Sequence, residues 1–272
     1  MHGYISFEGV SLMNAPHWTT QLELALSDPH GLRVLDTRSL YRLAQGVRPG
    51  VSKPSIERWI REAIAAQRVQ RVVRGLYLNR FISPPAQVAE AAVWLRPGAV
   101  VSLQTVLGDA GVWNNFTDAV TALVPLSPRY STPSLGCVET SAGSFLFRGM
   151  PERLLEAGPE KDRLSPELAY RRATPEAALL HWLYLSRSPR SRMSPLPMEL
   201  ELDELDRRRL KRLAKAMRLE TSFNDWMDRK YSHDAAPSVM EQTWQDDSGR
   251  ERSSASRRQA TARTRLSHRR RS

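Results

Sequence analysis

Eight residues between positions 52 and 80 have the types and spacing to grip a phosphate backbone or read base edges: Ser52, Lys53, Ser55, Arg58, Arg61, Arg71, Arg74 and Arg80. A guanidinium can take guanine with two parallel hydrogen bonds, and a serine hydroxyl can donate or accept at base or phosphate. Ser55 and Arg58 fall on the polar side of a 3.6-residue repeat, with Arg61 at its margin. Arg71, Arg74 and Arg80 fall on a β-prone stretch suited to phosphate or minor-groove contact. Chemistry of other kinds is thinly represented. Asp225, Asp228 and Lys230 come nearest to a metal-dependent nuclease set, but they share one short segment, and such sites need carboxylates separated on different elements. Ser102 has no Gly-x-Ser-x-Gly elbow around it and reads as a helix cap. Cys137 is the only cysteine, which excludes an internal disulfide and a multi-cysteine zinc site. The six histidines are scattered. No catalytic set, cofactor or metal is implied.

The elements that would position those eight residues run over 32–81. Asp36 or Thr37 can cap a short helix whose apolar side is Leu40, Tyr41, Leu43 and Ala44, with Gly46, Pro49 and Gly50 breaking it. Ser52 caps a second helix, where Pro54 is tolerated in the first turn. Ile56, Trp59, Ile60, Ala63 and Ile64 repeat at three and four, so Trp59 and Ile60 belong to a core and not to a stacking platform. Two β-prone runs, 69–73 and 76–81, join at Arg74-Gly75. A helix over 17–27 completes the set. Helix, turn, capped helix and basic hairpin form the pattern of a winged helix-turn-helix, whose second helix enters the major groove of double-stranded DNA.

Charge is distributed accordingly. From Arg33 to Arg80 the chain carries eleven Arg or Lys and three acids, a net of +8. From Arg250 to Ser272 nine Arg face one Glu, again +8, and the whole chain is +11, which leaves −5 for everything else. Basic character concentrated in this way is the electrostatic footprint of a nucleic-acid binder. No apolar run approaches the roughly 18 residues of a membrane span, and no signal pattern opens the chain, so a cytoplasmic protein with no membrane partner is expected.

Downstream, Ser83-Pro84-Pro85 reads as a hinge. A helix over 86–95, a short strand at 99–101 and a helix over 103–110 capped by Ser102 come next, with Gly111 in a left-handed closing position. Residues 117–124, 136–140 and 144–148 are β-prone, and 154–166 reads as irregular. Thr174-Pro175-Glu176 is a strong helix start for a nearly all-apolar helix over 176–185. A helix over 203–219 has acids in its first turn and basic residues after them, with Leu202, Leu205, Leu213 and Met217 inward. Residues 222–231 suit a last short helix. From 232 hydrophobicity collapses, and disorder is expected.

Three stretches, in order, resemble the AbiEi family of antitoxins. Val72-Val73-Arg74-Gly75-Leu76-Tyr77 is similar to the family's wing. Val101-Ser102-Leu103-Gln104-Thr105-Val106-Leu107 with Gly111-Val112 is similar to its Ser-Leu segment. Thr174-Pro175-Glu176-Ala177-Ala178-Leu179-Leu180-His181 is similar to its Pro-Glu segment, with Ala177 where Lys is common and His181 where Asp is common. The resemblance spans about 20–230. It implies an operator-binding domain that autorepresses a two-gene operon at inverted repeats, and a second domain that counteracts a nucleotidyltransferase-type toxin without necessarily forming a stable complex. The expected fold is α+β: an N-terminal winged helix-turn-helix (17–82), a mixed α/β C-terminal antitoxin-like domain (83–231) and a disordered Arg-rich tail (232–272). The rival readings are a stand-alone DNA-binding regulator and a winged-helix nuclease.

Overall fold

Residues 17–80 build one small sheet with helices against it. In the computed structural model, which describes residues 17–115, 117–127, 134–165, 168 and 170–235, α1 (Trp18–Leu26), β1 (Val34–Asp36), α2 (Thr37–Val47), α3 (Lys53–Ala65), β2 (Val69–Val73) and β3 (Leu76–Asn79) succeed one another. The strands are antiparallel in the order β1-β3-β2. The helix signals act as anticipated: Asp36 accepts from Ser39 N at 2.6 Å, and Ser52 accepts from Ser55 N. Helix α2 runs through Gly46 to Val47, one residue past the expected break. Leu22, Leu26, Leu40, Ile56, Trp59, Ile60 and Val69 form the core, so Trp59 and Ile60 are indeed core residues.

The other side of this sheet is closed too. Leu35 and Val69 belong to the helix-covered core, with Tyr77 packed against it. By strand alternation Val34, Leu76 and Leu78 face the opposite way, and they are buried as well. The chain after Asn79 folds back: Ala86 N donates to Asn79 O, and Ser141 N donates to Val72 O at the sheet edge. The expected hinge at Ser83-Pro84-Pro85 is tied down. Its Ser83-Pro84 bond is cis, and the Arg33 guanidinium donates to the carbonyls of Pro84 and Pro85 and, bidentately, to Glu90 at 2.8 Å.

A 3-10 turn (Val88–Ala91) and a single α-turn, α4 (Ala92–Leu95), occupy the stretch expected as one helix. A second sheet, in the order β4-β5-β7-β6, comprises β4 (Val100–Val101), β5 (Ala119–Leu126), β6 (Gly136–Thr140) and β7 (Gly143–Pro151). It is mixed, because β5 and β7 pair in parallel while the other neighbours are antiparallel. Helix α5 (Gln104–Asp109) comes after β4. The region expected as irregular holds two one-turn helices, α6 (Glu152–Leu155) and α7 (Glu160–Arg163). Helix α8 (Pro175–Arg187) begins at its Thr174 cap and is buried along most of its length. Helix α9 (Arg207–Ala216) starts later than expected. Asp206 is its cap, and Asp203 and Glu204 precede the helix instead of occupying its first turn.

The described residues up to Glu220 form one compact unit, which includes both sides of Ser83, and those from Thr221 form another. The second holds most of α10 (Glu220–Asp234), a longer helix than 222–231, so helix continues past the expected start of the tail at 232. The rest of that tail, residues 236–272, lies outside the described residues. The architecture is mixed α/β, with two sheets. No described helix is long and apolar enough to cross a membrane.

Candidate nucleic-acid interface

The eight candidate residues divide by what their side chains already hold. Ser52 and Ser55 hydroxyls lie 2.8 Å apart and close the first turn of α3. Lys53 is within 4.0 Å of Glu57, which also accepts from Tyr41 Oη at 3.3 Å. Arg58 and Arg61 are exposed on α3, and Arg71 and Arg74 are exposed on the hairpin. Among the described residues these four have no side-chain hydrogen bond or ion pair. Arg80 departs from expectation. It is half-buried, donates to Ala86 O at 2.6 Å and to Gln70 Oε1, and thereby fastens β3 to the returning chain. Two of its N–H donors are committed to a carbonyl and an amide oxygen, which ties this guanidinium to the fold.

Register explains the difference between Arg71 and Arg80. Arg71 pairs opposite Tyr77, on the side of the sheet that carries α3. Gln70 pairs opposite Leu78 and points with Arg80 to the other side. A bulge between Arg71 and Val73 then turns the strand into a two-residue loop, Arg74-Gly75. Gly75 has φ +82, and a Cβ there would sit 3.0 Å from Thr37 Oγ1. Thr37 N and Oγ1 both donate to Gly75 O, at 2.9 and 3.2 Å, so the hairpin tip is locked to the start of α2.

The turn before α3 is also fixed by one side chain. Gln45 Nε2 donates to Val51 O at 2.7 Å, and Gln45 Oε1 accepts from Gly50 N at 2.9 Å. Sequence reasoning missed Gln45, and it named Thr37 only as an alternative helix cap and not as the hairpin's anchor. A lone Gln or Thr beside a glycine turn carries no signal of its own, because its partners are backbone groups. Beside the hairpin, Gln67, Gln70, Arg71, Arg80 and Ser141 line an open cleft of about 620 Å³.

Away from this surface, Ser102 is not a helix cap. Leu103 holds the cap position of α5 at φ 60 and ψ −135, without a side-chain cap bond. The Ser102 hydroxyl instead shares a 2.9 Å hydrogen bond with His181 Nδ1. Both residues are buried, and burial pushes the His181 imidazole down to about 3, so it is neutral. This buried serine and histidine form a core contact between α8 and the chain just before α5. No group of three or more His, Cys, Asp or Glu able to hold a metal occurs among the described residues.

No family model and no curated protein matches the chain. A solved structure, that of the RV2827C protein from Mycobacterium tuberculosis, superposes with a TM-score of 0.45 at 16% identity, covering 75% of this chain and 76% of that one. A likeness at that level carries no argument about function.

Proposed function

We propose that this protein is a winged-helix repressor that lays α3 in the major groove of operator DNA, sets the β2–β3 hairpin against the backbone, and serves in the cytoplasm as the antitoxin of a toxin–antitoxin module. What supports the DNA half is the element order α1-β1-α2-α3-β2-β3 around a sheet ordered β1-β3-β2. The observation that carries it is the set of four exposed arginines that have no side-chain hydrogen bond or ion pair among the described residues. Arg58 and Arg61 are on α3, Arg71 is on the α3 side of the sheet, and Arg74 is at the locked tip. Arg58 and Arg61 would take base edges or phosphate, and Arg71 and Arg74 phosphate.

The antitoxin half rests on the resemblance in the three stretches. The third of them is almost entirely inside α8 and buried, so it would serve the fold and leave toxin contact to other surfaces. The test has two arms. Binding of the purified chain to DNA upstream of its own gene, against a scrambled duplex, checks the first. Co-expression with the product of any adjacent nucleotidyltransferase gene checks the second. Equal affinity for both duplexes would sink the repressor reading, and unrelieved toxicity would sink the antitoxin reading.

A further inference from the structure

Residues 207–218 carry seven cations and no acid, a density hidden by the net charge of −5 for the chain outside its two basic regions. By contrast α3 mixes Lys53, Arg58 and Arg61 with Glu57 and Glu62. The seven do two different jobs. Arg212 grips the buried Asp162 carboxylate with two hydrogen bonds of 2.9 Å, and Arg209 lies 3.4 Å from Glu176 and 3.8 Å from Asp162. Asp206 N, at the cap, donates to Glu176 Oε1 at 2.9 Å. Arg212 holds the Asp162 carboxyl below the usual range, so the clamp stays ionised at neutral pH. The clamp fixes how α9 is rolled about its axis, with Leu210, Leu213 and Ala214 buried.

The remaining cations then face outward together. At 100° per residue Arg207, Lys211, Lys215 and Arg208 fall within about 100° of arc. All four are exposed, and none has a side-chain hydrogen bond or ion pair among the described residues. Arg218 lies just past the helix end. Asp203 and Glu204 lie before the cap and Glu220 after the helix, so acids flank the row without interrupting it. From Arg207 to Lys215 the row is about 12 Å long, at about 1.5 Å per residue. One strand of duplex DNA presents a phosphate about every 3.4 Å, so the row spans three to four phosphates.

We propose that α9 is a second nucleic-acid contact, which binds the phosphate backbone of duplex DNA without reading sequence. It is independent of the reading of α3. Four cations on a rigid face matched to about four phosphates supply affinity and salt dependence, and no base-edge specificity. The experiment uses the full chain and a labelled duplex of random sequence, titrated between 50 and 200 mM salt. With Arg208→Gln, Lys211→Gln and Lys215→Gln together, the slope of log K against log salt should fall in magnitude by roughly 2.7, about 0.9 for each lost contact. Lys211→Arg with Lys215→Arg should keep the slope, and the ratio of operator to random affinity should stay unchanged in both variants. An unchanged slope in the triple variant overturns the proposal. So does a loss confined to single-stranded RNA or to poly-glutamate, which would mark an RNA or an acidic protein as the partner. Failure of the α3 reading registers separately, as loss of the operator preference in wild type.

Discussion

Arg33 and Glu90 are joined by a bidentate ion pair 57 residues apart in the chain, with Glu90 only 4% exposed. Arg33 precedes β1 and Glu90 lies in the 3-10 turn after the prolines, so the pair binds the N-terminal sheet to the chain beyond Pro85. Removing one partner leaves an uncompensated carboxylate inside the protein, which costs about 3 kcal/mol, the low end for a buried pair. Arg33→Ala should lower the urea midpoint accordingly. A fragment beginning at Ser83 loses Arg33 and also the buried face of Leu76 and Leu78. Cooperative unfolding of such a fragment, with wild-type steepness per residue, would contradict this coupling.

On the candidate interface, Arg58→Ala with Arg61→Ala should leave the fold intact, since both side chains are exposed and unpartnered among the described residues. Loss of a good base contact costs about 1–3 kcal/mol each. Operator affinity should fall by at least about ten-fold, with the melting temperature close to that of wild type. Undiminished operator retention in a mobility-shift assay would mean that the wrong face of α3 has been chosen.

Arg80→Ala should behave in the opposite way. Its guanidinium holds Ala86 O and Gln70 Oε1, so the variant should lose stability while its operator affinity, measured well below the transition, stays near wild type. A selective loss of DNA binding at full stability would return Arg80 to the interface.

Gly75→Ala tests the hairpin tip. A residue with a Cβ at φ +82 is strained, and the new methyl would press on Thr37 Oγ1. A destabilisation of about 1–3 kcal/mol is expected, together with weaker DNA binding because Arg74 rides on the same loop. Thermal denaturation and salt titration of one sample measure both effects.

His181 sets a pH dependence. Its folded pKa, about 3, is below the ordinary 6.5, so between those values the unfolded chain binds the extra proton. Stability from this group is therefore complete above about pH 6.5 and is lost as pH falls, at up to about 1.4 kcal/mol per pH unit. His181→Asn, which keeps a polar partner for Ser102, should flatten the urea midpoint between about pH 6.5 and 4 relative to wild type. Parallel pH curves for the two proteins would show that His181 is protonated in the folded state.

The sequence by itself determined much of the local structure. Asp36, Ser52 and Thr174 cap their helices, Gly75 makes the hairpin turn, and the stripe through Ile56, Trp59 and Ile60 finds the core. Each of these depends on neighbours within a few residues, so spacing alone carries the information. Only the tertiary structure decided which polar groups remain free. Arg71 and Arg80 are alike in sequence, yet strand register and the returning chain leave one exposed and bind the other. Ser102 had the look of a cap, but a histidine 79 residues away takes its hydroxyl. The parallel pairing of β5 with β7 and the anchoring of α9 by Asp162 and Glu176 were equally invisible. Their partners lie 25 to 50 residues apart, and no local repeat encodes a contact made only after the chain has folded back on itself.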